Sequence, residues 1–288
     1  MRIPDLFVPG RPVFSFEFFL PKTAEDTATL LNNIRELKKL EPAFVTLTYG
    51  AAGTERGRTV ETAGRIRNEL GVETACHLTC ISHTRAEINE LLGRIRGLGI
   101  ESIVALRGDK PRDMEVPPPD RRDFGYANDL VSFIRRQDHG FSVAVAGYPE
   151  KHPEASSPEE DMRRLVDKVQ AGGDWVMTQL FFDNSHYFDF VRRAREAGVT
   201  VPIVPGIMPV TSFSQLKRFM GLCGATIPAR MAADLEAIQA DPEAVVRYGI
   251  EHGTRQCREL LDRGAPGIHF YTLNRSRSTR EILGELRG

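Results

Sequence analysis

The sequence has few cysteines, no excess of charge and no long apolar run, and each shortage excludes a class of protein. Its 288 residues include four cysteines, Cys76, Cys80, Cys223 and Cys257, which are too sparse for a disulfide framework and match no zinc motif. We therefore expect free thiols in a reducing cytoplasm. A formal net charge of −1 provides no basic stripe, so we expect no nucleic-acid partner. No stretch approaches the ~20 apolar residues of a membrane span and no signal peptide is evident, so we expect no membrane association.

Several catalytic motifs are missing as well. The chain contains neither the G-x-S-x-G motif of serine hydrolases nor the H-E-x-x-H motif of zinc peptidases. His77 lies between Cys76 and Cys80, but adjacent strand residues point to opposite faces, so we expect no metal site there. No lysine falls within a predicted strand, which argues against Schiff-base chemistry.

What the sequence does contain is a regular alternation of apolar, β-branched runs with amphipathic runs. The predicted strands begin near residues 13, 43, 74, 102, 142, 175, 201 and 267. Eight strand–helix units predict an α/β fold, a closed (β/α)8 TIM barrel that forms one domain over residues 1–288. The stretch 225–264 is long enough for two or three extra helices before the last strand. An open doubly wound sheet is the alternative, but residues 20–26, after the first strand, lack its glycine-rich fingerprint.

Polar residues stand near the carboxyl ends of the predicted strands, where the active site of such a barrel forms. They are Ser15, Glu17, Thr46, Thr48, His77, Thr79, Arg107, Asp109, Gln179, Asn274 and Arg275. Each has an ordinary alternative: His77 is typical of a satisfied core histidine, and Arg107 with Asp109 of a local salt bridge. Together they indicate a ligand site, because burying so many unpaired polar groups would cost ~1–3 kcal/mol each. Two carboxylates would suit glycoside hydrolysis, but the single tryptophan, Trp175, lies away from the predicted mouth.

Eight segments resemble the methylenetetrahydrofolate reductase family, in the same order and over nearly the whole chain. They are FSFEFFLPK, FVTLTYGAAGTERGRT, HLTC, ALRGDKP, GYPEKHPEA, TQLFFD, PIVPGIMPVTSF and HFYTLNR. The resemblance implies a (β/α)8 barrel that binds FAD and reduces 5,10-methylenetetrahydrofolate to 5-methyltetrahydrofolate with NADH or NADPH. It also implies folate and nicotinamide nucleotide substrates, a place in one-carbon metabolism and methionine biosynthesis, and a homo-oligomer.

The functional residues of the family carry over onto matching positions. Glu17 corresponds to the catalytic acid, and Asp109 is expected beside both the folate and the flavin. The other positions that match cofactor contacts are Thr48, Tyr49, His77, Arg107, Gly108, Tyr126, Ala127, Ala146, Tyr148, His152, Ala155, Asp161, Arg164 and Lys168. The other positions that match folate or nicotinamide contacts are Gln179, Gln215, Phe219 and Arg275. Asp161, Arg164 and Lys168 share one face of a predicted helix, for which a solvated charge stripe is the alternative.

Two positions depart from the family pattern. Leu20 replaces a proline, which we expect to loosen the turn after Glu17, and Ala52 replaces a glycine. We expect the phenylalanines around Glu17 to raise its pKa and keep it protonated near neutral pH. The regulatory domain of eukaryotic members has no counterpart in this sequence, so we expect no inhibition by S-adenosylmethionine.

The segment 110–125 is long, proline-rich and highly charged, and we expect a mobile loop at the catalytic face. It is either a tolerated insertion or a cover that closes over the ligand. Two other functions stay open for the chain as a whole. One is another flavin dehydrogenase, of the related proline dehydrogenase type, and the other is a flavin-free folate-binding or partner subunit.

Overall fold

Eight parallel strands close into a barrel in chain order, as the computed structural model of residues 2–21, 23–49, 55–110, 117–275 and 277–288 describes it. The strands are β1 (Val13–Phe18), β2 (Phe44–Leu47), β3 (Thr74–Thr79), β4 (Ser102–Leu106), β5 (Ser142–Gly147), β6 (Trp175–Leu180), β7 (Ile203–Ile207) and β8 (Gly267–Tyr271). The last strand pairs with the first, with Glu17 opposite Tyr271. The predicted TIM barrel is confirmed.

Helices surround the barrel in the part of the chain that the structure describes. They are α1 (Ala24–Lys38), α2 (Glu55–Leu70), α3 (Arg85–Gly97), α4 (Ala127–Arg136), α5 (Pro158–Gln170), α6 (Asn184–Glu196), α7 (Phe213–Cys223), α8 (Ala229–Ile238), α9 (Pro242–Asp262) and α10 (Arg277–Arg287). Helices α8 and α9 occupy the stretch 225–264, which confirms the extra helices before the last strand. None of the described helices is long and apolar enough to cross a membrane.

Helix α3 illustrates how the sequence specifies these elements. The Thr84 side chain accepts the N–H of Glu87, and the Glu87 carboxylate accepts the N–H of Thr84, which together cap the first turn. The buried face of the helix consists of Ile88, Leu91, Leu92 and Ile95. Each such side chain contributes about 1.5–3 kcal/mol when fully buried. Gly99 follows at a φ of +77°, a conformation that glycine adopts without strain.

The strands divide the core into an outer and an inner part. On β1, Phe14, Phe16 and Phe18 pack outward against the helices, whereas Ser15 and Glu17 face the barrel interior because side chains alternate along a strand.

The amino-terminal end of the barrel is closed by aromatic rings. Trp175 lies 5.4 Å from Phe44 and 5.7 Å from Phe7, measured between ring centroids, and Phe7 follows the short 3-10 helix Ile3–Leu6. The expected place of Trp175, away from the mouth, is confirmed. Within the described residues these rings fill the amino-terminal end, so we expect ligands to enter from the carboxyl ends of the strands.

The predicted cover loop is described in part, since residues 111–116 lie outside the described ranges. In the remainder, Phe124 is 1% exposed, and Asp123 Oδ2 accepts the N–H of Arg85 at 2.8 Å. Residues 117–125 therefore have an apolar anchor, which the high charge of the segment did not suggest. Closure over a ligand stays a prediction.

Candidate active site

The mouth of the barrel is built around Glu17, which lies on the inward face of β1 and is 5% exposed. Three neighbouring strands place polar atoms near one of its carboxylate oxygens, Oε2. Thr46 Oγ1 donates to it at 3.3 Å, His77 Nε2 lies 3.3 Å away and His269 Nε2 lies 3.5 Å away. Glu17 is thus a buried carboxylate with partners, which explains how an otherwise apolar strand tolerates it.

The pKa of Glu17 is lowered to about 2, opposite to the direction expected from the sequence. Burial by itself raises this pKa, but the charge and hydrogen bonding of His77 and His269 outweigh it. The expectation was wrong because the phenylalanines of β1 point outward, while the carboxylate shares its own face with two imidazoles. With these neighbours, Glu17 is ionised at neutral pH.

The carboxyl end of β1 is clamped by the segment that follows β8. Thr272 Oγ1 donates to the carbonyl of Glu17 at 2.7 Å. The Asn274 side chain accepts the N–H of Phe19 at 2.8 Å and donates to the carbonyl of Phe19 at 3.0 Å. These contacts fix the peptide groups beside Glu17, so its side chain is presented from a rigid strand end.

The turn after β1 is also tied to the end of β2. The N–H of Leu20 donates to Thr48 Oγ1 at 3.1 Å, a bond that a proline would lack. This bond opposes the expected loosening of the turn, which stays a prediction. Next to Thr48, the hydroxyl of Tyr49 lies 3.0 Å from His83 Nε2. Ala52, the other departure from the family pattern, lies outside the described residues.

Arg107 and Asp109, after β4, have different surroundings. Arg107 forms a bidentate ion pair with Glu154, at 2.5 and 2.9 Å, so the expected alternative of a local pair with Asp109 is wrong. Asp109 is exposed, and no hydrogen bond or ion pair joins it to another described residue. Gly108 between them has a φ of +87°, and a Cβ there would lie 2.9 Å from that of Thr79. The backbone therefore requires glycine, and the Asp109 carboxylate is open to a ligand.

The loop after β5 forms a cluster of aromatic and polar groups. Tyr148 and His152 pack edge to face, with ring centroids 4.6 Å apart. The N–H of His152 donates to Asp161 Oδ2 at 3.1 Å, and the N–H of Ala155 donates to the carbonyl of His152 at 3.0 Å. Burial first, and then the charge of Arg107, lower the pKa of His152, so its imidazole is neutral at neutral pH.

Lys168 brings a cation to the same loop. Its ammonium donates to the carbonyl of Ala146 and lies 5.9 Å from the centroid of the Tyr148 ring. Burial lowers the pKa of Lys168 to about 8, against the opposing charge of Asp161. Lys168 is therefore charged at neutral pH and loses its proton at a pH only slightly above neutral.

The three charged residues predicted to share one face of α5 all contact neighbouring elements. Asp161 holds the loop after β5, Lys168 reaches β5 itself, and the guanidinium of Arg164 lies 4.5 Å from the centroid of the Tyr126 ring. Tyr126 is the residue before Ala127, the first residue of α4. A purely solvated stripe, the ordinary alternative, does not describe this face.

The charges of Arg107 and Lys168 both lower the pKa of His152, so the two cations lie near the same loop. Guanidinium and ammonium groups gathered beside a loop are suited to bind phosphate groups. This side of the mouth can therefore hold an anionic cofactor.

The expected substrate contacts lie farther round the mouth. They are Gln179 in β6, Gln215 and Phe219 in α7, and Arg275 after β8. Gln179 Oε1 accepts the N–H of the next residue at 2.9 Å, and Arg275 is exposed. No contact among the described residues joins these four side chains to Glu17. The structure thus places them around the mouth but does not bring them together.

Sequence reasoning missed two residues that hold Glu17, namely His269 and Thr272. His269 is fully buried, and its Nδ1 lies 2.8 Å from Ser15 Oγ. The two-residue period of β8 contains the signal, because His269 and Tyr271 must share the inward face. Their partners could not be read from the sequence, since β1 and β8 are separated by nearly the whole chain.

Comparison with known proteins identifies the family of the chain. The family model described as methylenetetrahydrofolate reductase matches residues 2–287. The 5,10-methylenetetrahydrofolate reductase of Escherichia coli (strain K12) is 40% identical over 279 residues, covering 97% of this chain and 92% of that protein. A probable methylenetetrahydrofolate reductase (NADH) of Oryza sativa subsp. japonica is 40% identical over 295 residues, covering 99% of this chain. This chain spans about half the length of the rice protein, at 50% coverage.

A solved structure from Clostridium thermocellum has the same architecture. That protein, described as binding two copies of 5-methyl-5,6,7,8-tetrahydrofolic acid, superposes with a TM-score of 0.66 at 15% identity. The superposition covers 95% of this chain and 93% of the other, and at this identity it shows the fold alone. On the family model and the bacterial relative, the chain belongs to the methylenetetrahydrofolate reductase family.

Proposed function

We propose that this chain reduces 5,10-methylenetetrahydrofolate to 5-methyltetrahydrofolate, with FAD as its cofactor and NADH or NADPH as the reductant. The observation that carries the proposal is the buried carboxylate of Glu17 at the barrel mouth. Three strands hold its Oε2, while Oε1 has no partner among the described residues. A positioned carboxyl group with one free oxygen is suited to proton transfer in an enclosed site.

The loop after β5 and helix α5 support FAD as the cofactor. Among the described residues, the ammonium of Lys168 has one hydrogen-bond acceptor, the carbonyl of Ala146, which leaves two N–H donors for a ligand. Lys168 and Arg107 would hold the diphosphate. The rest of the site would consist of Thr48, Tyr49, His77, Gly108, Asp109, Tyr126, Ala127, Tyr148, His152, Ala155, Asp161 and Arg164. When bound, FAD supplies the transfer of hydride from the nicotinamide to the folate.

Glu17 would act on the folate. The methylene carbon is a poor hydride acceptor while it is bonded to both N5 and N10. Protonation of N10 breaks the bond between this carbon and N10, whose electron pair goes to N10 and leaves an iminium at N5. Glu17 gives its proton to N10 in this step, and the iminium carbon then accepts hydride.

The lowered pKa of Glu17 requires that the carboxyl group gain a proton when folate binds. A bound pterin would exclude water from the mouth, and loss of water favours the neutral form of a carboxyl group. His77 Nε2 lies 3.3 Å from Glu17 Oε2, close enough to share a proton with the carboxyl group, whose free Oε1 faces the folate. The Glu17–His77 pair would thus hold the proton that N10 receives.

Asp109 and Gln179 would orient the pterin. The exposed carboxylate of Asp109 is an acceptor suited to the amino and ring N–H groups of the pterin. Gln179 Oε1 already accepts a backbone N–H, so its amide hydrogens are the groups left to donate to the ring. Gln215, Phe219 and Arg275 would contact the remaining parts of the folate or the nicotinamide.

The experiment that tests this function is anaerobic stopped-flow spectroscopy of the purified chain. We expect a yellow protein whose flavin absorbance is bleached by NADH or NADPH and restored by 5,10-methylenetetrahydrofolate, with 5-methyltetrahydrofolate as the product. Reduction by both nucleotides, measured in parallel, gives the preferred reductant. Reduction by proline would favour the other flavin dehydrogenase. A colourless protein that cannot be reconstituted with FAD would favour the folate-binding or partner subunit.

A further inference from the structure

The two carboxylate oxygens of Glu17 have unequal surroundings. Oε2 lies within 3.5 Å of polar atoms of Thr46, His77 and His269. Oε1 has no hydrogen-bond partner among the described residues. A carboxyl group held through one oxygen presents the other to the substrate, so the contacts of Oε2 determine how Oε1 is aimed.

His269 is the least accessible of these contacts, at 0% exposure. Its Nδ1 lies 2.8 Å from Ser15 Oγ, and Ser15 is also fully buried. No other described atom accepts a hydrogen bond from the Ser15 hydroxyl. If Nδ1 carried a proton, it would donate to Ser15, and the buried hydroxyl hydrogen would have no acceptor among the described residues, which is unfavourable.

The arrangement that satisfies both groups has Ser15 donating to an unprotonated Nδ1. The remaining ring proton is then on Nε2, which points at Glu17 Oε2 at 3.5 Å. Thr46 Oγ1 fits this arrangement, because it donates to the same carboxylate oxygen and lies 3.5 Å from Nε2.

We infer that Ser15 and His269 are positioning residues for proton delivery: Ser15 selects the Nε2–H form of His269, whose N–H holds Oε2 and leaves Oε1 for the folate. The inference rests on the proposed function for its consequence in catalysis, but the form of the imidazole is independent of that function. Ser15, His269 and Glu17 resemble a nucleophilic triad in residue type. Ser15 is sealed inside the barrel, however, so it cannot attack a substrate.

The ionisable groups that face His269 are Glu17 on β1, His77 on β3 and Tyr271 on β8. The Tyr271 ring packs edge to face on the imidazole, with centroids 5.4 Å apart. Burial lowers the pKa of His269, against the charge of Glu17, while burial raises the pKa of Tyr271. His269 is therefore a neutral donor at neutral pH.

The first test is ¹⁵N NMR of the histidine rings in the full chain, with the His269 signals assigned by their loss in His269→Gln. We expect an unprotonated, hydrogen-bonded Nδ1 and a protonated Nε2 at neutral pH. In Ser15→Ala we expect the Nδ1 signal to move downfield, because its donor is removed. A protonated Nδ1, or an Nδ1 signal unaffected by Ser15→Ala, would overturn the inference, whether or not the protein reduces folate.

The second test is the pH dependence of flavin reoxidation by 5,10-methylenetetrahydrofolate. His269→Phe removes the donor to Oε2 and so raises the pKa of the Glu17 carboxyl group. We expect the limb on which activity falls with rising pH to move to higher pH, and the maximal rate to fall ~10–100-fold. His269→Gln, which can accept from Ser15 and donate to Oε2, should recover the rate to within a few-fold. His252 lies on α9 and packs against Phe182. The matched control is His252→Phe, which should leave the pH profile unchanged.

The outcomes separate the inference from the proposed function. If the unaltered chain fails to oxidise its reduced flavin with folate, the proposed function is wrong, and the NMR result still decides the form of His269. If the unaltered chain turns over and His269→Phe keeps its pH profile and rate, the positioning role is overturned. If His269→Phe does not fold, Ser15→Ala and His269→Gln carry both measurements.

Discussion

The two carboxylates expected to take part in catalysis lie in very different surroundings. Glu17 is buried, and its strand end is held by bonds from Thr272 and Asn274. Asp109 is exposed, and no described residue forms a hydrogen bond or an ion pair with its side chain. One group is therefore positioned by the barrel itself, whereas the other depends on the ligand for its partners.

This difference indicates that proton transfer and ligand recognition are assigned to different parts of the barrel mouth. A proton donor must be aimed to within a fraction of an ångström, so it gains from a rigid wall and fixed second contacts. A group that recognises the edge of a pterin must first be reachable from water. Asp109 offers an exposed carboxylate for this purpose, and Arg107 and Lys168 add two half-buried cations.

The largest effect is expected when the aimed carboxyl group is removed. Glu17→Gln keeps the shape of the side chain but cannot protonate N10. We expect flavin reoxidation by 5,10-methylenetetrahydrofolate to slow by ~10²–10⁴-fold, the usual contribution of a general acid. Stopped-flow absorbance measures this rate, and reduction by NADH or NADPH in the same sample is the reference. Normal folate turnover in this variant would show that the proton comes from another group.

A smaller effect is expected on the exposed side. Asp109→Asn keeps a hydrogen-bond acceptor but removes a negative charge, so folate binding should weaken about tenfold, which corresponds to ~1.4 kcal/mol. The flavin should also become easier to reduce, because the negative charge of Asp109, which opposes electron uptake by a nearby ring, is removed. Equilibrium titration of folate and spectroelectrochemistry measure the two changes. An unchanged midpoint potential would argue that Asp109 does not lie beside the flavin.

The same contrast separates what the sequence could predict from what it could not. Strand and helix periodicity predicted the barrel and the inward face of β1, because these depend on local alternation, and the length of 225–264 predicted its extra helices. The direction of the pKa shift of Glu17 was predicted wrongly, and the ion pair of Arg107 with Glu154 was not foreseen. Both depend on groups brought together by barrel closure, namely Glu154 in one case and His77 with His269 in the other.

The rim should also respond to pH through Lys168. Its pKa of about 8 means that the free amine becomes neutral as pH rises above 8, while a diphosphate binds the charged form. FAD affinity should therefore be constant below that pH and fall by at most tenfold per pH unit above it, since one proton is involved. Fluorescence titration of the apoprotein with FAD measures the slope. Lys168→Met should bind more weakly and lose this pH dependence; a slope that persists in Lys168→Met would assign it to another group.

The smallest effect is expected at the ion pair between Arg107 and Glu154. The side chain of Glu154 is 55% exposed, so solvent screens the pair and its contribution to folding is under about 1 kcal/mol. Glu154→Gln should leave the melting temperature nearly unchanged. Because the guanidinium of Arg107 is then free for phosphate, FAD affinity should rise about two- to threefold, which corresponds to less than about 1 kcal/mol. Calorimetry and FAD titration measure the two quantities, with Glu159→Gln on the exposed start of α5 as the matched control. A large loss of stability would mean that Glu154 is needed for folding. The contrast between groups held by the barrel and groups open to ligand would then apply to Asp109 but not to Arg107.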